Sequence, residues 1–352
     1  MNEDLIERKA DHINISLEKQ VESKKSTLFE CVHLIHNALP ELNLDSIDTS
    51  TSFLNHKFSA PILIDAMVGG SPESAKINEN LALAAEELGI GMVVGSQRVG
   101  LSSPSLAETY SIVRKRAPNI FLASNIGAAQ LLKGFGKEEA KKCIEMIGAE
   151  AFVIHLNPLQ EAIQVGGEPQ YKGIVDKIRE LISQLSVPVI VKEVGFGISK
   201  EVAIKLELAG VSAINVSGAG GTSWSAVEHY RALALDNKEK AELGQLFWDW
   251  GIPTAVSLIE TRRATKIPVI ASGGIRTGLD IAKSLVLGAN LTGMALPLLR
   301  HAAVSKNSLL SFLQKTIYEL KTTMFAVGCN NIQDMRRVRF TITGELAEWL
   351  KQ

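Results

Sequence analysis

AFVIHLNPLQE, residues 151–161, decides how the rest of the chain is read. Its first four residues are apolar without a break, as a strand covered on both faces requires. The next seven, HLNPLQE, bring an imidazole, two amides, a carboxylate and a proline, groups that a folded core avoids unless they find partners. Such a run suits a buried strand that opens onto a ligand-facing loop. It also suits a polar turn whose amides cap neighbouring backbone. What separates the two is whether the pattern recurs.

It recurs. Short apolar runs ending in small or polar residues stand at 61–67 (PILIDAM), 91–96 (GMVVGS), 120–126 (IFLASNI), 151–157 (AFVIHLN), 188–194 (PVIVKEV), 213–218 (AINVSG), 268–274 (PVIASGG) and 291–297 (LTGMALP). Helical patterns between them, over 81–88, 138–147, 201–209 and 279–287, stop at Gly89, Gly148, Gly210 and Gly288, where glycine supplies a left-handed terminal residue. Strand and helix in eightfold alternation predict an α/β fold, a TIM (β/α)8 barrel. An open doubly wound sheet is the alternative, but no GxGxxG follows the first run, where a dinucleotide fold needs it. Residues 1–60 are less regular, with a helical pattern over 28–39 ending near Pro40, and are expected to form an N-terminal extension to a single barrel domain of 61–352. A long connection, 219–254, carries Trp224, Trp248 and Trp250 and suits a lid, a subunit contact or packing on the barrel.

Composition narrows the class. The chain has 352 residues, 46% of them hydrophobic and 21% charged, enough for a large core. A formal net charge of -1 provides no broad field to recruit nucleic acid or anionic lipid. Cys31, Cys143 and Cys329 are far apart and form no CxxC, which speaks against disulfides and zinc knuckles. MNEDLIERKADH lacks an apolar signal core, and no run approaches a membrane span, so the expected location is the cytoplasm, with no nucleic-acid or membrane partner.

In such a barrel the active site lies at the C-terminal ends of the strands. There the sequence places Met67, Ser96, Asn125, His155, Asn157, Lys192, Glu193, Ser217, Ser272 and Ala295. SGGIR, 272–276, lets backbone approach a phosphate, or serves only a tight turn; GAGGT, 218–222, is equally permissive. Lys192 stands inside an apolar strand and needs an anionic or electron-rich partner, either a ligand or an internal salt bridge. Neighbouring Glu193 faces the other way. In ERKADH, 7–12, cations and a histidine can bind phosphate oxygens or form a solvated helix start. No HExxH or HxH suggests a metal cage, though Glu161 alone suits a hydrated Mg²⁺ shared with a diphosphate.

ERKADH, HLNPLQE, VKEVGFGIS, SGAGGTSW, ASGGIRTGLD and the C-terminal TGELAEWL together resemble the flavin-dependent type 2 isopentenyl diphosphate isomerases along nearly the whole chain. The resemblance implies an isomerase of isoprenoid biosynthesis that interconverts isopentenyl and dimethylallyl diphosphate. It implies reduced FMN, NADPH as its reductant, Mg²⁺, and a homo-oligomer, tetrameric or octameric. By motif, FMN would meet Ala66, Met67, Val68, Ser96, Asn125, Lys192, Ser217 and Thr222, with its phosphate on Gly273, Gly274, Arg276, Ala295 and Leu296. Substrate would meet Arg8, Lys9, His12, Ser96, Arg98, His155, Asn157 and Gln160, with Glu161 on Mg²⁺. Gln160, Lys192 and His155 are the expected catalytic groups. Val68 departs from the threonine common at that place, removing a side-chain hydrogen bond to the flavin. No strong acid is evident near Gln160, whose amide is a poor acid or base, so the resemblance assigns proton transfer to reduced FMN.

Two other enzymes and a sensor remain as alternatives. An FMN-dependent 2-hydroxy acid oxidoreductase would need a histidine base and arginine clamp where SGAGGTSW stands, and an inosinate dehydrogenase-like barrel a loop cysteine, whereas Cys143 falls in a predicted helix. A non-catalytic flavin- or phospholigand-binding barrel would explain SGGIR but not Lys192, His155, Gln160 and Glu161 together.

Overall fold

The computed structural model describes residues 2–351, so Met1 and Gln352, the outer ends of the two expected segments, lie outside it. The chain begins with helix α1 (Asn2–Glu18), then strand β1 (Val32–Leu34) and a hairpin of β2 (Thr51–Phe53) and β3 (His56–Phe58). Each of the eight apolar runs then contributes one strand: β4 (Ile62–Ile64), β5 (Gly91–Val93), β6 (Leu122–Gly127), β7 (Ala151–His155), β8 (Val189–Lys192), β9 (Ala213–Asn215), β10 (Val269–Ser272) and β11 (Leu291–Met294). They pair in parallel in chain order, and β11 returns to β4 to close the barrel. The expected (β/α)8 fold is the one observed.

Strand parity explains the interior. Alternate side chains of a strand face one side, and the inner cluster contains Leu63, Val93, Ala123, Val153, Ile190, Ala213, Ile270 and Leu291. Two residues further along each strand direction stand Asp65, Gly95, Asn125, His155, Lys192, Asn215, Ser272 and Gly293. An apolar layer is therefore overlaid, strand by strand, by a polar or glycine layer at the C-terminal mouth. Below the apolar layer the β2–β3 hairpin plugs the barrel. Phe53, Phe58 and Phe121 meet there with ring centroids 5.6–6.4 Å apart, two of the three contacts edge-on.

The extension differs from expectation over 28–39. Instead of a helix it forms a 3-10 turn (Phe29–Cys31) and β1, which pairs antiparallel with β12 (Phe340–Ile342). Leu28 turns left-handed at φ 63, and a strand some 300 residues away then satisfies the backbone of 32–34. Tertiary pairing outweighs local periodicity here. The glycine stops hold: Gly89, at φ 61, closes its helix with its N–H on the Ala85 and Glu86 carbonyls.

Three further helices bear on the mouth: α2 (Pro158–Ile163), inside HLNPLQE, and α3 (Trp224–Ala234) and α4 (Lys238–Leu246) of the long connection. α1 packs against α3 and beside the helix Leu296–Val304, across the open end of the barrel. Trp248 Nε1 donates to the Glu22 carbonyl at 3.1 Å, so the connection is stitched to the extension, while Trp250 stays 61% exposed. Among the described residues no helix is long and apolar enough to cross a membrane.

Phe58 is almost fully buried in the plug. Phe58→Ala is expected to cost about 3–5 kcal/mol of unfolding free energy, read from guanidinium denaturation; a loss near zero would mean that the plug is not part of the cooperative core.

Candidate active site

One pocket at the barrel mouth is lined by every residue singled out from the sequence as a site residue: Arg8, Lys9, His12, Ala66, Met67, Val68, Ser96, Arg98, Asn125, His155, Asn157, Gln160, Glu161, Lys192, Ser217, Thr222, Gly273, Gly274, Arg276, Ala295 and Leu296. The floor is the polar layer. Lys192 Nζ donates to the Glu193 carbonyl at 2.7 Å and stands 3.8 Å from Asp65 Oδ1. Asn215 donates to Asp65 Oδ2 at 3.0 Å, and Ser272 Oγ donates to Asn215 Oδ1 at 2.6 Å. The internal salt bridge considered for Lys192 thus exists as a long pair with Asp65, and the ammonium still reaches the pocket. Glu193 points away, as parity requires. Its carboxylate accepts from Val194, Gly195 and Phe196 N–H at 2.5–2.7 Å. Burial pushes its pKa up to about 7 against the lowering effect of those three bonds.

His155 is held by Asn125, with Nδ1 2.7 Å from Oδ1. Loss of solvent, then the nearby charges of Lys192 and Lys9, press its pKa down to about 3, so it is neutral at physiological pH. A carboxamide oxygen only accepts, so Nδ1 carries the proton and Nε2 offers a lone pair. His155 therefore presents an acceptor to the pocket, and would need a further proton to donate to a phosphate oxygen.

The walls are two. On one side, Gly273 (φ 96) and Gly274 (φ 73) fold tightly against the loop after β9, where a Cβ on Gly273 would lie 2.1 Å from the Gly218 carbonyl oxygen. Ala295 and Leu296 stand beside them at the start of the helix Leu296–Val304, whose N-terminal dipole favours an anion. Arg276 is fixed by Glu22, Nη2 to Oε1 at 2.6 Å. The Ala66–Gly70 stretch runs close to Tyr110, so that a Cβ on Gly69 would collide with its ring. Val68 is buried, and its carbonyl accepts from Gly95 N–H at 3.1 Å. Close backbone, glycine loops and a dipole are the donors a phosphorylated, planar cofactor requires, and these residues fit FMN.

On the other side stand α1, α2 and α3. Leu5, Arg8, Lys9, His12, Ile13 and Ser16 of α1 form a single helical stripe facing the pocket. Lys9 Nζ donates to the Ser96 carbonyl at 3.4 Å. Enclosure, then Arg8 and Arg98, depress its pKa from 10.5 to about 7. Arg98 is paired at 3.3 Å with Glu168. Just before α2, Asn157 Nδ2 donates to Gln160 Oε1 at 3.2 Å and to Glu161 Oε1 at 3.0 Å, and Tyr171 donates its hydroxyl to Asn157 Oδ1 at 2.7 Å. No group of three or more His, Cys, Asp or Glu among the described residues is arranged to hold a metal, so Glu161 suits only an ion carried mainly by water and ligand.

Sequence reasoning missed the carboxylate beside Gln160. Glu228 Oε1 accepts from Gln160 Nε2 at 2.9 Å and lies 3.0 Å from His12 Nε2, while its Oε2 is buried without a hydrogen-bond partner. Burial alone would raise its pKa, but His12, Gln160 and Arg231 together hold it below the usual range, so it is ionised. What stands beside Gln160 is thus an ionised carboxylate, a fixed negative charge and not a strong acid. Glu228 sits 68 positions downstream on α3, in a stretch that reads as an ordinary surface helix. Asp65 and Asn215, by contrast, follow inward apolar residues by two positions, and parity would have found them.

Relatives of near-full length decide the family. The isopentenyl-diphosphate delta-isomerase of Methanosarcina barkeri is 49% identical, covering 98% of this chain and 94% of the relative. That of Methanothermobacter thermautotrophicus is 45% identical over 98% and 96%. The chain belongs to the isopentenyl-diphosphate delta-isomerase family. Within it, a family model described as FMN-dependent dehydrogenase matches residues 162–341, which span β8 to β11 and the long connection. Among solved structures, a lactate oxidase from Pediococcus acidilactici superposes with a TM-score of 0.69 at 14% identity, covering 97% of this chain and 93% of that one. The flavin-binding domain of baker's yeast flavocytochrome b2 gives 0.65 at 16%, covering 89% and 76%. These likenesses show the fold alone. Family membership therefore outweighs the 2-hydroxy acid oxidase alternative.

A charge on Lys9 exists only below about pH 7, because its folded pKa is depressed. Affinity for inorganic pyrophosphate is expected to fall as pH rises through that value, and calorimetry from pH 6 to 9 measures it. In Lys9→Arg the guanidinium stays charged, so the difference between the two proteins should vanish at low pH and widen at high pH; parallel curves would exclude Lys9 from the anion site.

Proposed function

We propose that the protein interconverts isopentenyl and dimethylallyl diphosphate, a 1,3-allylic shift with no net redox change, at the barrel mouth of an FMN-dependent isomerase of isoprenoid biosynthesis. One observation carries this reading beyond family membership. Three cations, Arg8, Lys9 and Arg98, and an amide hydrogen-bonded to a buried carboxylate, Gln160 with Glu228, line the same pocket as the glycine cradle.

Ala66, Met67 and Val68, with Ser96, Asn125, Lys192, Ser217 and Thr222, would hold FMN, and Gly273, Gly274, Arg276, Ala295 and Leu296 would take its phosphate. When bound and reduced, it supplies proton transfer at the allylic carbons and stabilises developing positive charge. The residues of the chain do the rest. Arg8, Lys9, Arg98 and Asn157 hold the diphosphate and fix which end of the skeleton enters, and neutral His155 joins them by accepting a hydrogen bond at Nε2 from a protonated diphosphate oxygen. Glu161 would hold a hydrated Mg²⁺, which would neutralise part of the diphosphate charge. Glu228 lies behind His12 and Gln160 and orients both toward the alkene, and its fixed negative charge close behind them in a water-poor site favours a cation-like transition state. Lys192 keeps an ammonium beneath the pocket, near the flavin. α1 covers the mouth and excludes water.

NADPH is the reductant, the protein works in the cytoplasm, and it assembles as a homo-oligomer, tetramer or octamer. Residues 1–60 act as an extension of the single barrel domain 61–352.

Oxidised protein without reductant is expected to be inactive, and anaerobic reduction of its FMN to restore turnover of isopentenyl diphosphate in the presence of Mg²⁺. Full turnover under strictly oxidising conditions would sink the mechanism. Gln160→Ala, compared anaerobically with wild type, should lower kcat on the order of 10²-fold, the usual cost of a lost transition-state contact, with FMN content unchanged. A Glu228→Gln protein that keeps wild-type kcat would remove the carboxylate from the chemistry.

A further inference from the structure

Arg231, whose charge helps keep Glu228 ionised, makes a second set of contacts, and its side chain is only 9% exposed. It lies on α3, one helical turn after Glu228, and does not line the pocket. Its Nε donates to Asp11 Oδ2 at 3.2 Å, and Nη1 lies 3.5 Å from the Val165 carbonyl, just past the end of α2. Asp11 is a half-buried residue of α1, flanked in sequence by Ala10 and His12. His12 in turn is bonded to Glu228. Two adjacent residues of α1 are thus fastened to two residues one turn apart on α3.

A single tether lets a helix roll about its axis; two tethers on adjacent residues stop it. Successive residues of an α-helix are about 100° apart. A roll of one residue would therefore turn Arg8 and Lys9 away from the pocket. The pair also has an electrostatic consequence. Arg231 and Arg98 both press on Arg8 as like charges, and Asp11 stands beside Arg231 to offset one of them.

We propose that Arg231 is a positioning residue which, through Asp11, locks the roll of α1 so that Arg8 and Lys9 face the diphosphate. The proposal rests on the diphosphate reading of the pocket, and deepens it by naming what aims the cations. It assigns the Asp11–Arg231 bridge to substrate affinity and not to the chemical step.

The test uses the FMN-loaded full chain. Asp11→Asn removes the bridge from its more exposed end and should leave folding intact; Arg231→Met removes it from the other. Each is expected to weaken inorganic pyrophosphate binding and raise KM about tenfold, the fold-change of one charge-assisted hydrogen bond. For Asp11→Asn, which leaves the Arg231 charge beside Glu228 in place, kcat within about twofold of wild type and unchanged FMN absorbance are expected alongside. The double variant should be no worse than the weaker single one, and Asp11→Glu should stay near wild type. Amide hydrogen exchange over residues 2–18 should quicken in both single variants, a readout that needs no substrate. Wild-type affinity and wild-type exchange in Asp11→Asn would overturn the proposal, as would a loss of kcat at unchanged KM. Wild-type protein that ignores pyrophosphate would overturn the diphosphate reading instead, while quickened exchange in Asp11→Asn would still uphold the bridge as what holds α1.

Discussion

An ammonium enclosed at the top of a closed barrel must be answered by its surroundings, and Lys192 is answered by the Glu193 carbonyl at 2.7 Å and, more distantly, by Asp65. From that constraint the floor of the site follows. Asp65 needs Asn215, Asn215 needs Ser272, and the residues come from three different strands, β9 and β10 directly and the end of β4. Buried polar groups of this kind are tolerable only as a connected network. The apolar layer beneath, with its phenylalanine plug, bears the stability that lets the mouth stay polar.

The second organising feature is that the site has two walls of different origin. The glycine loops and the helix start after β11 are barrel parts, placed by the repeat itself. The opposite wall is assembled from pieces outside the repeat: α1 from the extension, α3 from the long connection, α2 from within HLNPLQE. Those pieces hold one another by side chains, chiefly His12 and Gln160 on Glu228. The barrel therefore fixes where the site lies, while its chemistry is set by the residues placed upon it.

Expectation and structure agree best where a local pattern has one physical cause. Continuous apolar runs cannot be exposed, so all eight became barrel strands. Glycine after a helix supplies the left-handed turn, so the stops at Gly89, Gly148, Gly210 and Gly288 stand. Agreement failed where a distant partner intervened. The periodicity of 28–39 is helical, but β12 offers hydrogen bonds to 32–34 and the segment takes them.

The sequence by itself determined the barrel, the end of it that holds the site and the identity of most pocket residues, because strand period, glycine stops and the family motifs are properties of neighbouring positions. Only the tertiary structure decided the charge states and the partners. That His155 is neutral, that Lys9 is depressed to about 7, and that Glu228 stands ionised beside Gln160 all depend on burial and on charges that include ones tens to hundreds of positions away. Solvent exclusion and Coulomb interaction act through space, and no spacing along HLNPLQE encodes which helix will close over it.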